Sequence, residues 1–195
     1  MLELVKGVFT VDAKTKWDQK YLDRLENLEK PIANTRLKEL SPYLTGGKAL
    51  DLACGLGANS LFLAENGYEV QAFDISDVAV DYVKKEAEEQ GLAVYPRMVD
   101  LTDINSLEIL DRMFDLIIIT YYLDRAIFPF VKTIVMEKGY FFMETFYKSP
   151  SGEGKVSEHF KLHTGELLAE FRDWQILYYE ENEHEGRQTI FARKR

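Results

Sequence analysis

The chain holds a single cysteine, Cys54, so no disulfide can form within it, and nothing in its thiol content asks for an oxidising compartment. Histidine is scarce too. Of the three, His159 and His163 stand four apart, which on a helix would put both on one face but would leave a metal short of ligands, and no metal centre is expected. No apolar run approaches the roughly 20 residues of a membrane span. The longest, residues 116–123, stops at Asp124-Arg125. Residues 1–10 mix Glu3 and Lys6 with apolar positions and carry no small-residue cleavage site, so they do not read as a signal peptide. Positive charge is in deficit: 24 Lys and Arg against 33 Asp and Glu leave a net −9, the wrong sign for tight non-specific binding of nucleic acid. The basic triplet Arg193-Lys194-Arg195 reads as a solvated tail. These absences describe a cytoplasmic protein with neither membrane nor nucleic-acid partners, and they leave its oligomeric state open.

What is present suits one α/β domain. At 195 residues, with 46% hydrophobic and 13% aromatic side chains, the chain can bury a full core but has little room for two. The expected layout is a single domain over 1–195, with a helical cap over 1–46 and an α/β core over 47–195. Strand patterns fall at 48–52, 69–73, 93–98, 114–120, 139–145, 174–179 and 188–193. Helical patterns lie between most of them. One runs over 58–66, with Leu61 and Ala64 on one face and Gly67 as its stop; another is capped by Ser76 and runs through Val83 and Ala87 to Gly91. This alternation predicts a doubly wound, seven-stranded, mostly parallel sheet. The stretch 180–187 is too short for a parallel crossover, so the last two strands should form an antiparallel hairpin. Upstream, 17–28 and 32–40 read as helices, the first striped by Trp17, Tyr21, Leu22, Leu25 and Leu28, the second closed by Pro42.

The chemistry gathers after the first core strand, in Asp51-Leu52-Ala53-Cys54-Gly55-Leu56-Gly57-Ala58-Asn59-Ser60. Glycines at a strand-to-helix turn let a ligand approach the backbone, and Asp74, ending the next strand, is placed to accept both hydroxyls of a ribose. Ser60 stands where a dinucleotide fingerprint wants its third glycine, and no Lys-Ser/Thr pair follows for a Walker loop. Asp51, just upstream, would repel a pyrophosphate but suits an ammonium.

The D-x-A-C-G-x-G stretch resembles motif I of class I S-adenosylmethionine-dependent methyltransferases, and the closing hairpin is a mark of that fold. A narrower similarity, carried by Cys54 to Ala64, Phe73-Asp74-Ile75-Ser76 and Tyr122-Leu123-Asp124-Arg125 with Phe128-Pro129, is to the tellurite-resistance methyltransferase group. The resemblance implies S-adenosylmethionine as cofactor and S-adenosylhomocysteine as product. By the same resemblance Ala53, Cys54, Gly55, Gly57 and Asn59 run beside the methionine part. Asp74 takes the ribose, Ile75 faces the adenine, Asp100 and Leu101 meet the adenine amino group, and Thr120 and Tyr121 close the strand-four end. Trp17 and Tyr21 would cover the site, and Glu144 would face the acceptor. Tyr122 and Arg125 are the catalytic candidates, with His163 a distant further one. For Asp100 a loop or capping role is the alternative, and for Arg125 a salt bridge to a neighbouring acid. No Asp/Asn-Pro-Pro-Tyr/Phe turn follows strand four, which with the negative charge favours a small-molecule acceptor, such as a thiol or an oxyanion of selenium or tellurium. Two departures from the group, Ala58 in place of a basic residue and Glu137-Lys138-Gly139 in place of Pro-Gly-Gly, keep an oxyanion from following directly. Two other readings stay open: a SAM-binding regulator or partner subunit without turnover, and an NAD-dependent oxidoreductase, against which Asp51, Ser60 and the hairpin argue.

Overall fold

Alternation along the central strands decides the architecture. Strand β1 (Gly47–Leu52) sends Leu50 and Leu52 into one apolar cluster and Ala49 into another, and β4 (Phe114–Thr120) divides Ile117 and Ile119 from Leu116 and Ile118 in the same way. Both faces are therefore covered, which is why these strands read as nearly continuous apolar runs. The structure is a computed structural model describing residues 12–27, 30–103, 113–150 and 156–195. Leu28, the stretch 1–10 and the middle of the 147–159 loop lie outside these residues.

In chain order the elements are α1 (Ala13–Glu26), α2 (Thr35–Glu39), β1, α3 (Ala58–Glu65), β2 (Tyr68–Asp74), α4 (Asp77–Gln90), β3 (Val94–Met98), β4, α5 (Ile127–Ile134), β5 (Val135–Phe146), α6 (Glu166–Glu170), β6 (Gln175–Asn182) and β7 (Arg187–Arg193). They build one seven-stranded sheet in the order β3-β2-β1-β4-β5-β7-β6. The pairs from β3 to β5 are parallel, and β7 runs antiparallel between β5 and β6. This is the doubly wound sheet with a C-terminal hairpin expected from the sequence. Among the described residues, no helix is long and apolar enough to cross a membrane.

Several local expectations need correction. Helix α1 starts four residues before the predicted 17, because the Asp12 carboxylate accepts the Thr15 N–H at 2.8 Å and caps it there. Its apolar stripe is narrower than predicted: Tyr21 is buried while Leu22 is 41% exposed. Helix α2 is short, since Asn34 caps it and leaves Ile32 out in solvent. In α3 the buried face is Asn59, Ser60 and Leu63, whereas Leu61 and Ala64 are only partly covered.

Strand β5 begins at Val135, directly out of α5 and ahead of the predicted 139. A bulge absorbs the mismatch, with Phe114 opposite Val135 and Leu116 opposite Tyr140. Gly139 is required there, because a Cβ would sit 2.9 Å from the Met136 carbonyl oxygen and 3.1 Å from two more. The basic triplet is not a free tail. The Lys194 ammonium donates to the Lys132 and Val135 carbonyls at 3.1 and 3.0 Å, satisfying acceptors that the end of α5 would leave open.

Candidate active site

Strand order reverses between β1 and β4, and beyond their carboxyl ends lies the crevice in which an open α/β sheet binds ligands. Each strand is followed directly by a non-glycine residue in left-handed backbone, Ala53 (φ 59°) after β1 and Tyr121 (φ 58°) after β4. Such conformations persist only where the surroundings enforce them, and they cluster at functional sites.

On the β1 side, Gly57 caps α3 with φ 72°, and a Cβ on it would lie 2.4 Å from Val83 of α4. The Gly55 N–H donates to Asp74 Oδ2 at 2.8 Å, and the Ser76 N–H donates to Asp74 Oδ1 at 3.0 Å. Burial lifts the Asp74 pKa, against the pull of these N–H donors. Tyr21 of α1 brings its hydroxyl 3.5 Å from Asp74 Oδ2, and a Cβ on Gly55 would come within 3.1 Å of that hydroxyl. Trp17 stacks on Tyr21 with centroids 5.6 Å apart. The helix is held by Asp18, which accepts from the Ser76 hydroxyl at 2.5 Å, and by Lys14, 2.7 Å from Asp77.

Asp51 lies beneath the turn with no exposure. Its Oδ2 accepts from Ser60 at 2.6 Å, while its Oδ1 is buried without a partner. Burial, seconded by the charge of Asp74, pushes its pKa up to about 7. Cys54 is a small packed group whose thiol burial pushes well above its ordinary range. Leu101 is part of the core cluster with Leu52 and Phe73. The exposed Asp100 turns back on its own chain, accepting from the Thr102 N–H and hydroxyl at 2.9 and 2.7 Å.

Beyond β4 and β5 opens a cleft of about 630 Å³ whose lining includes Asn34, Arg36, Tyr121, Glu144, Tyr178 and Arg187. Neither Tyr122 nor Arg125 lines it. The left-handed turn at Tyr121 separates the two tyrosines, and Tyr122 packs against the core cluster instead. Arg125 is taken up by Glu166, which accepts from its Nε and Nη2 at 2.6 and 2.9 Å, and by the Lys161 carbonyl at 3.1 Å. A guanidinium held in this bidentate way is directed to its carboxylate. His159 lies in a 3₁₀ turn and His163 beyond it, so the two share no helix face. Among the described residues, no group of three or more His, Cys, Asp or Glu could hold a metal.

Glu144, with 1% exposure, accepts from Asn34 Nδ2 at 2.7 Å, Tyr121 at 2.9 Å and Thr189 at 2.9 Å, and lies 3.2 Å from Arg36. Arg36 is further bound by Glu180 and Glu185. Arg187 has no carboxylate partner among the described residues. It lies 4.4 Å from the Tyr121 ring and 3.9 Å from the Phe146 ring, and its Nη1 is buried without an acceptor. Burial comes first in raising Tyr121 and Tyr122 to about 12, the Glu144 charge adding for Tyr121 and those of Asp124 and Asp100 for Tyr122. Both phenols are protonated at neutral pH. Sequence reasoning missed Asn34, Arg36 and Arg187. The only signal for them was Asn34 as a helix cap ahead of Thr-Arg-Leu.

Residues 19–191 match the family described as tellurite resistance protein TehB. A probable S-adenosyl-L-methionine-dependent methyltransferase TehB of Haemophilus influenzae is 26% identical over 146 residues, 73% of this chain and 51% of that protein. Hemagglutinin 1 of Eikenella corrodens is 31% identical over 155 residues, 76% of this chain and 50% of that protein. This chain thus spans about half the length of these relatives. The crystal structure of TehB from Haemophilus influenzae superposes with a TM-score of 0.76 at 22% identity, covering 88% of this chain and 66% of that one. Magnesium protoporphyrin IX methyltransferase of Synechocystis, solved with bound SAH, gives 0.68 at 14% identity, covering 93% and 97%. At these identities the structures speak for the fold. The match over nearly the whole chain shows that this protein belongs to the TehB family.

Proposed function

We propose that this chain is an S-adenosylmethionine-dependent methyltransferase whose acceptor is a small, soft anionic nucleophile, a thiolate or an oxyanion of selenium or tellurium. The observation that carries this reading is the adjacency of two half-sites: the glycine turn with Asp74 at the end of β1 and β2, and the Arg187 cleft at the end of β4 and β5.

The residues of the first half fit the cofactor. Asp74 beside Gly55 suits a ribose, and the unpartnered Asp51 Oδ1 suits an ammonium. Tyr21 and Trp17 cover that half. When bound, S-adenosylmethionine supplies a methyl carbon already activated by its sulfonium. The chain's own task is then alignment, which in well-oriented systems is worth about 7–11 kcal/mol.

The second half favours an acceptor that arrives with its lone pair ready. Tyr121 keeps its proton, and Glu144 already receives four donors, so neither is a free base at the strand ends. The Arg187 guanidinium, with no carboxylate partner among the described residues and its Nη1 without an acceptor, would orient an anion. The single buried thiol accords with a place in the cytoplasm.

Calorimetric titration with S-adenosylhomocysteine, with NAD as control, tests the cofactor. Micromolar binding of the first and none of the second supports the proposal, and no binding of S-adenosylhomocysteine refutes it. Release of S-adenosylhomocysteine from S-adenosylmethionine in the presence of thiols, selenite and tellurite then tests the acceptor. Binding without turnover on any of these would mark a regulator.

A further inference from the structure

We infer that Asn34 is the positioning residue that sets the acceptor wall of the cleft against the cofactor half, a role that rests on the methyltransferase reading above. Asn34 uses every hydrogen-bonding group it has. Its main-chain N–H donates to Asn59 Oδ1 at 2.8 Å, and its main-chain carbonyl accepts from Lys38 at 3.1 Å. Its Oδ1 accepts from the Leu37 N–H at 3.1 Å, capping the helix that bears Arg36. Its Nδ2 donates to Glu144 at 2.7 Å and to the Tyr121 oxygen at 3.2 Å. Asn59, two residues past Gly57, donates in turn to Thr120 Oγ1 at 3.0 Å, and Tyr121 follows Thr120 in the chain.

These contacts close a ring through Asn34, Asn59, Thr120, Tyr121 and Glu144. The ring ties α3, β4 and β5 to the segment before α2, and Asn34 is its only member from outside the α/β core. Asn34 is 8% exposed and Glu144 1%, and around such buried members each bond polarises the next. The ring holds Tyr121 in its left-handed backbone at the end of β4 and fixes Arg36 at the mouth of the cleft. The ribose and ammonium contacts lie on the other side, at Asp74 and Asp51. Asn34 therefore governs the acceptor more than the cofactor.

The amide is what the position needs. A carboxylate at 34 could still cap α2 but would face Glu144 Oε1 across 2.7 Å, and two carboxylates that close share one proton. The other groups facing Glu144 are Arg36 from α2, Tyr121 just after β4 and Thr189 from β7. Glu180 and Glu185 hold Arg36, and Arg187 of β7 stacks on Tyr121.

Asn34→Asp, Glu144→Gln and the double variant provide the test, with calorimetry against S-adenosylhomocysteine and turnover on selenite and 2-mercaptoethanol between pH 6 and 9. Asn34→Asp should bind S-adenosylhomocysteine within about threefold of the parent. Its kcat/KM at pH 8 should fall roughly 10- to 100-fold, the penalty of an ångström-scale misplacement, and recover as pH drops and the pair takes up a proton. The amide introduced by Glu144→Gln can donate to the new carboxylate, so the double variant should regain about tenfold and lose the pH dependence. The inference is overturned if Asn34→Asp turns over like the parent, if the double variant is as poor as the single at every pH, or if S-adenosylhomocysteine affinity falls in step with turnover. Should the parent bind S-adenosylhomocysteine yet methylate neither acceptor, the small-acceptor reading fails by itself. Unfolding midpoints then decide the ring: a loss in Asn34→Asp that grows with pH and is reversed by Glu144→Gln supports it, and unchanged midpoints overturn it.

Discussion

Asp51→Asn separates a carboxyl kept for function from one kept for stability. The Asp51 carboxyl has no exposure, one hydroxyl donor and an unpartnered second oxygen, and burial raises its pKa to about 7. In the unfolded chain it titrates near 3.9. Because the folded value is the higher one, folding is unaffected by this group below about pH 4. Stability is lost as pH climbs from there to about 7, where the unfolded chain has released a proton that the folded chain keeps, and the loss levels off above. Its full size is roughly 4 kcal/mol, more than half of it falling between pH 5 and 8. Asparagine keeps the shape and an acceptor for Ser60 but cannot ionise. Urea unfolding of parent and variant at pH 5, 6.5 and 8 should therefore show Asp51→Asn gaining on the parent by roughly 2 to 3 kcal/mol across the range. Saturating S-adenosylhomocysteine should narrow that gap, since an ammonium at the unpartnered oxygen favours the ionised form. Parallel curves, with a gap constant to within about 0.5 kcal/mol, would refute the reasoning.

Asp74→Ala removes charge-assisted bonds worth about 1.5–3 kcal/mol, so calorimetry should record roughly 10- to 150-fold weaker binding of S-adenosylhomocysteine by a folded variant. Gly57→Ala forces an L-residue to φ 72° and drives a methyl into Val83 at 2.4 Å. Unfolding should show a loss of about 2–5 kcal/mol, part of it recovered when Val83→Ala is added. Arg187→Gln should raise the acceptor KM at least about tenfold with little change in S-adenosylhomocysteine affinity, and equal losses in both would place Arg187 outside the acceptor's reach. Arg125→Ala breaks a surface pair with Glu166, so thermal unfolding should report up to about 1 kcal/mol lost, and a tenfold fall in turnover would return Arg125 to the chemistry.

What could be read from the residues was what depends on neighbours in the chain. Strand alternation, the glycine turn ahead of α3 and Asp74 at the end of β2 are local patterns, and the sheet assembles them as written. The acceptor wall is not local. Asn34 and Glu144 are 110 residues apart, and nothing near either position announces the other. Arg125 looked available because its carboxylate, Glu166, lies 41 residues downstream. Tyr121 and Tyr122 are adjacent and chemically alike, and one backbone angle decides which of them lines the cleft. The start of β5 was hidden for a different reason, since α5 passes into it with no turn residues between them.

The placement of β7 between β5 and β6 carries a further consequence for how the chain comes together. Strand β6 is synthesised first, but among the described residues its one strand partner is β7, so until β7 emerges from the ribosome it has no seat in the sheet. During that interval β5 also stands as an open edge bearing Phe141, Phe142 and Met143, a surface that invites pairing with another chain. Closure then comes in one late event, when the hairpin folds on itself and docks as a unit. A premature stop before residue 187 would therefore leave β5 open to aggregation, besides removing Arg187 and Thr189 from the cleft wall.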